Sequence, residues 1–229
     1  MTVKAGIAAA TNVCSWLRRH QRVPVRSTPV KVNLGSGLAV AKGWTNVDGS
    51  LNALVAGWPP SLLKAVYRLT SVKDWFSRAE YIRLLTDHRF VHHRLDYGVP
   101  FESDSVDYLY SSHMLEHLYY DDAKRLLADM FRVLKPGGRL RLAVPDLDHA
   151  IALFQRGRKD EALAYFFVPS REALFERHHY MYDAALLSRL LASVGFRDIV
   201  RCGYKQGLVP DIELLDNRPE ETLFLEAVK

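Results

Sequence analysis

One feature constrains this chain more than any other. Short apolar runs of strand length, ending in small or acidic residues, alternate with longer stretches whose apolar residues recur at helical spacing. The runs are VKVNLGS (30–36), TNVDGS (45–50), FVHHRLDYG (90–98), SVDYLYSSH (105–113), RLRLAVPD (139–146), RDIVRCGY (197–204) and TLFLEAVK (222–229). The helical stretches are mainly 51–86, 117–138 and 182–196, and the segment 117–138 is expected to stop at Pro136, Gly137 and Gly138. Such alternation predicts an α/β fold, a mostly parallel sheet of seven strands with helices on both faces. The last two strands have only a loop between them, so the final strand is expected to join antiparallel.

Composition narrows the class. The 229 residues are 48% hydrophobic and 25% charged, which fits a globular domain and excludes fibrous or disordered chains. No apolar run approaches the roughly 20 residues that a membrane span needs. Two cysteines, Cys14 and Cys202, make a disulfide framework an unfavourable reading and point to a cytoplasmic protein.

The net charge of +5 is unevenly spread. No acidic residue occurs before Asp48, whereas Lys4, Arg18, Arg19, Arg22, Arg26, Lys31 and Lys42 are basic. We read residues 1–29 as a basic N-terminal arm and 30–229 as one domain, with 51–86 as a helical insert after the second strand. The arm's segment AGIAAATNVCSWLRR suits either a loosely docked tail or an amphipathic helix in peripheral contact with an anionic membrane or acidic glycan. No basic stripe interleaved with aromatic residues argues for a nucleic-acid partner.

In open α/β sheets, ligands bind beyond the carboxyl ends of the strands. Three signals gather there. Leu34, Gly35, Ser36 and Gly37 follow the first strand, where glycine permits tight turns and close approach to a ligand. Asp48 is expected to end the second strand and Asp96, followed by Tyr97, the third. Carboxylates in those places suit the hydroxyls of a ribose and the amino group of an adenine. The spacing from Gly37 to Asp48 is too short for a crossover helix, and shorter than the about 20 residues of a dinucleotide site. That argues against a nicotinamide oxidoreductase.

The stretches VNLGSG, GWTNVDGS, RLDYGVPFESDSVDYLYSSHMLEHL, VLKPGGRLRLAVPDLD and HYMYDAALLSRLLASVGF resemble class I S-adenosylmethionine-dependent methyltransferases. The resemblance spans nearly the whole chain after Pro29. It is closest to the type 11-like small-molecule branch associated with polysaccharide and glycan biosynthesis. It implies a Rossmann-like fold, S-adenosyl-L-methionine as cofactor, and methyl transfer to a small-molecule or glycan acceptor such as a sugar hydroxyl. It further implies that Leu34, Gly35, Ser36 and Gly37 hold the methionine part, Asp48 the ribose, and Asp96 and Tyr97 the adenine, with Ser112 and His113 beside the cofactor. Two departures stand out: Asn33 replaces the usual acidic residue before the glycine loop, and the third glycine is missing.

A hydroxyl acceptor gains from a general base, and histidine titrates in the right range. His113, His117 and His179 are the expected catalytic residues, while His88, His92, His93 and His178 are expected on the surface or the insert. No metal is counted among the cofactors, although His113, Glu116 and His117 form an H-x-x-E-H pattern. It resembles the E-x-x-E-H metal site of some methyltransferases acting on vicinal hydroxyls, and leaves a divalent ion open, with His179 as a further candidate ligand. Asp146 is expected to cap a helix, and Asp216, Asn217 and Arg218 either to touch a polar substrate or to form a turn. The alternative functions are a nucleic-acid methyltransferase and a non-catalytic cofactor-binding module.

Overall fold

The computed structural model describes residues 11–25, 28–167 and 177–229. Its elements run β1 (Lys31–Leu34), β2 (Thr45–Asp48), α1 (Leu51–Val55), α2 (Pro60–Leu69), α3 (Arg78–Asp87), β3 (Arg89–His92), β4 (Val106–Ser112), α4 (Tyr120–Val133), β5 (Leu134–Pro145), α5 (Leu147–Gln155), α6 (Lys159–Ala164), α7 (Ala184–Ser193), β6 (Arg197–Cys202), α8 (Ile212–Leu215) and β7 (Thr222–Val228). The sheet order is β3-β2-β1-β4-β5-β7-β6. Five strands pair in parallel, and β7 lies antiparallel between β5 and β6. The order reverses between β1 and β4, the place where a doubly wound sheet opens its binding crevice.

Each element follows from local chemistry. α4 buries Ala123, Leu126, Leu127, Met130 and Val133, residues three and four apart that form one apolar stripe on the main core. α7 begins where Asp183 accepts a hydrogen bond from Leu186 N and buries Leu187, Leu190 and Leu191. Two differences from the sequence reading have plain causes. α4 ends at Val133, and Pro136, Gly137 and Gly138 lie inside the first half of β5, which takes over directly. α5 is the helix expected of the Asp146 cap and starts where that carboxylate accepts a hydrogen bond from Asp148 N at 3.0 Å; α6 was not expected, its 6 residues being too few to show a helical period.

The link between β1 and β2 holds no helix, as its length required. The face this leaves bare is closed from elsewhere. Trp44 and Tyr110 stack edge to face and pack with Ala41, Val209, Ile212 and Leu215, the last two from α8 in the β6–β7 connection. Asp211 anchors that connection by accepting hydrogen bonds from Lys31 Nζ at 2.6 Å and Trp44 Nε1 at 2.8 Å. The bond from Lys31 holds the Asp211 carboxyl below its usual range. The insert instead builds a small core of its own, Val55, Leu63, Tyr81 and Leu85, joined by Leu38 and Phe90.

The arm is helical over residues 11–17 and docks at the β3 edge. Ser15 is buried with its Oγ 3.4 Å from His92 Nε2, Arg22 donates to the Val99 carbonyl, and Val23 N donates to Pro100 O. Among the described residues, no helix is long and apolar enough to cross a membrane.

Candidate cofactor and acceptor site

The glycine loop leaves β1 with Gly35 at φ 66° and Gly37 at φ 51°, both in the left-handed region that a side chain disfavours. Gly35 also meets Met114 closely: a Cβ there would stand 2.5 Å from Met114 Cγ. Nothing comes within 4 Å of a Cβ on Gly37, so the loop is open at that point. Asn33 does not substitute for an acid; its Nδ2 donates to the Ala39 carbonyl at 2.8 Å and shapes the loop. The Leu34 side chain is fully buried in the core, which leaves only its backbone for a ligand. Ser36 is buried beside it.

Asp48 ends β2. Its Oδ2 accepts from Gly37 N at 2.8 Å and its Oδ1 from Ser50 N at 2.7 Å. A carboxylate oxygen has two lone-pair directions, so each retains one for a further donor, such as a ribose hydroxyl.

Asp96 differs from expectation. β3 ends at His92, and Asp96 with Tyr97 lies in a short 3-10 turn, Leu95–Tyr97, a few residues farther on. The half-exposed Asp96 carboxylate is paired with Arg94, which also bonds Asn12 of the arm. Asp96 and Tyr97 line a cavity of about 620 Å³ with Arg22, His117, Leu118 and Tyr119. The end of β3 carries His92 and His93, and both are buried, contrary to the surface placement expected of them. Burial pushes both imidazoles below their ordinary range, against the raising effect of carbonyl hydrogen bonds to Gly49 and Gly98. The His93 bond, Nε2 to Gly98 O at 3.0 Å, pins the turn that presents Asp96.

At the end of β4, the Ser112 hydroxyl is buried without a hydrogen-bond partner. His113 takes φ 49° and donates its backbone N–H to Ala143 O at 2.8 Å, which turns the chain out of the sheet. Its Nε2 lies 3.0 Å from Thr222 Oγ1 and its Nδ1 3.4 Å from Glu116 Oε1. Glu116 and His117 follow in a 3-10 turn. His113, Glu116, His117 and His178 share a second cavity, of about 700 Å³, walled on its far side by His149, Arg158, Glu161 and Tyr165 of the α5–α6 segment and by Arg218, Glu220 and Glu221.

His179 is not in that wall. Its ring stacks on Tyr119 with centroids 4.1 Å apart, and its neighbour His178 faces the cavity instead, contrary to the sequence reading of both residues. Burial lowers the His178 pKa, a carbonyl bond to Tyr165 opposing it. The two adjacent histidines sit in a loop, where no periodicity tells which one points inward. Asp146 caps α5 and receives Arg201 at 2.9 Å. Asp216 takes no part in either cavity; it is buried beneath Arg141. Of the loop residues singled out, Arg218 alone lines the second cavity.

The open side of Gly37, the spare acceptor capacity of Asp48 and the unpartnered Ser112 hydroxyl fit an amino-acid moiety joined to a ribose. Residues 56–142 match the family model described as a methyltransferase domain. The fold is similar to that of a S-adenosylmethionine-dependent methyltransferase from Thermotoga maritima described as a possible histamine N-methyltransferase. The two are 15% identical with a TM-score of 0.52, over 97% of this chain and 89% of that one. A S-adenosylmethionine-dependent methyltransferase from Archaeoglobus fulgidus is also similar, at 13% identity, 98% and 94% coverage and a TM-score of 0.48. No curated protein matches the sequence. The chain thus carries a match to a methyltransferase domain over residues 56–142, set within a fold similar to that of an S-adenosylmethionine-dependent methyltransferase.

Proposed function

We propose that the chain transfers a methyl group from S-adenosylmethionine to a hydroxyl of a small molecule or glycan, best a sugar hydroxyl, seated in the cavity of about 700 Å³. The observation that carries this reading is the wall of that cavity: histidines at the β4 end opposite Arg158, Glu161, Arg218, Glu220 and Glu221. So polar a wall suits a ligand rich in hydroxyls and ill suits a flat apolar one.

S-adenosylmethionine, when bound, supplies an electrophilic methyl group on a sulfonium. The protein's own part is to place the glycine loop and Asp48 against the cofactor and to hold the acceptor in line. His113 takes the acceptor's proton. Its Nδ1 lies 3.4 Å from the buried Glu116 carboxylate, and its Nε2, beside Thr222 Oγ1, is the proton-accepting atom.

The arm supports an extension of this reading. Val13, Trp16 and Leu17 are exposed beside Arg18 and Arg19, a combination suited to the surface of an anionic membrane carrying a lipid-linked acceptor.

The test is transfer of labelled methyl to a panel of sugars, nucleotide sugars, amines and RNA. The reading expects sugar hydroxyls to be labelled. His113→Ala should lower kcat by about 10²–10⁴-fold. Labelling of amines or RNA alone would overturn it.

A further inference from the structure

We propose that Glu116, His117 and His178 hold a divalent transition-metal ion in the wall of the acceptor cavity. One donor atom of each lies within 4.8 Å of the others. All three residues line the same cavity. The site goes beyond the acceptor reading and stands on its own geometry.

Glu116 is the first argument. It is 1% exposed, and neither carboxylate oxygen accepts a hydrogen bond. His113 Nδ1 stands 3.4 Å and His117 Nε2 3.9 Å from its Oε1. A desolvated carboxylate with no donors is costly, and a cation between it and the two imidazoles removes that cost.

The histidines are the second argument, and it is independent of the first. His117 Nδ1 lies 3.1 Å from the Arg177 carbonyl, and His178 Nδ1 lies 2.7 Å from the Tyr165 carbonyl. A carbonyl only accepts, so in both rings the proton is on Nδ1 and the lone pair on Nε2. That is how metal-ligating histidines are held: one ring nitrogen is fixed by an outer partner while the other is free to coordinate. The rings stand edge to face with centroids 5.2 Å apart.

One carboxylate and two imidazoles form a donor set that suits zinc or a neighbouring first-row ion, with a further position open toward the cavity. Donors at about 2.1 Å in a tetrahedron stand about 3.4 Å apart, so donor atoms now up to 4.8 Å apart close by up to about 1.4 Å on binding. An ion there would lie beside the acceptor hydroxyl and lower its pKa.

The experiment uses the full chain, stripped with chelator and free of S-adenosylhomocysteine, titrated with Co²⁺ alone. Visible d–d absorption and a metal-dependent rise in Tm are read. The expected result is uptake of one equivalent, displaced by Zn²⁺. Glu116→Gln and His178→Ala should each weaken uptake by about 100-fold or more, beyond the usual effect of losing an outer partner. His179→Ala, one residue along, should retain it. Absence of d–d absorption and of a Tm rise in the wild-type chain overturns the proposal, whether or not the variants fold. Uptake that Glu116→Gln and His178→Ala leave unchanged overturns it as well. Neither result touches cofactor binding, which is measured separately.

Discussion

The guanidinium of Arg141 meets the carboxylate of Asp216 through two bonds, Nε to Oδ1 at 3.0 Å and Nη2 to Oδ2 at 2.6 Å, with neither side chain exposed. Arg141 also bonds Glu226 Oε1 at 3.1 Å and the carbonyls of Gly203 and Gln206. Asp216 and Glu226 in turn accept backbone N–H groups of Lys205, Leu208 and Val209. One cation on the sheet thus gathers the β6–β7 connection, and that connection is the cover over the face that lacks a helix.

Removing the cation leaves two carboxylates buried together. Arg141→Met is expected to cost about 3–5 kcal/mol in urea unfolding. At about 2–4 °C per kcal/mol for a chain of this size, the midpoint falls by roughly 6–20 °C. Arg141→Met combined with Asp216→Leu and Glu226→Leu should recover much of that loss. A single substitution with no effect would show that the network does not hold the loop.

The glycine loop makes a graded prediction. Gly35→Ala meets both the positive φ and the Met114 side chain, whereas Gly37→Ala meets the positive φ alone. Gly35→Ala is therefore expected to destabilise by about 2–3 kcal/mol and Gly37→Ala by about 1 kcal/mol. Equal losses in denaturant unfolding would contradict the contact with Met114.

Much of this was legible in the chain itself. All seven strands follow from short apolar runs bounded by turn residues, and the missing helix follows from the few residues between Gly37 and Thr45. Other features were hidden for physical reasons. In RLRLAVP the alternation marks Arg141 as facing away from the main core, yet that face is buried by a loop more than sixty residues later. Asp96 was placed at a strand end because RLDYG continues the apolar pattern, but a 3-10 turn pinned by His93 intervenes. The choice of His178 over His179 depends on a carbonyl of Tyr165, which no local pattern encodes.

His92 and His93 give a pH dependence. Burial holds both below the ordinary value of 6.5, so the folded chain keeps them neutral where the unfolded chain takes up protons. Their contribution to stability is full above that value and is lost as pH falls below it toward the folded pKa values. Melting midpoints should drop between about pH 7 and pH 5, and His93→Gln should flatten the slope. Parallel pH profiles for the two proteins would contradict this.

The arm gives a prediction on surfaces. The chain should float with vesicles containing anionic phosphatidylglycerol and not with neutral phosphatidylcholine vesicles. Trp16→Ala with Leu17→Ala should reduce the bound fraction, and salt should reduce it further as screening shortens electrostatic reach. Binding that is indifferent to lipid charge would contradict the role of Arg18 and Arg19.

Calorimetric titration with S-adenosylhomocysteine tests the central claim most directly, on the wild type and on Asp48→Asn. The account predicts one site per chain, and a loss of affinity of about 10–100-fold in Asp48→Asn, since a hydrogen bond to a charged group contributes about 1.5–3 kcal/mol. No heat of binding in the wild type, or equal affinity in the two proteins, would contradict the assignment of the glycine loop and Asp48 as the cofactor site.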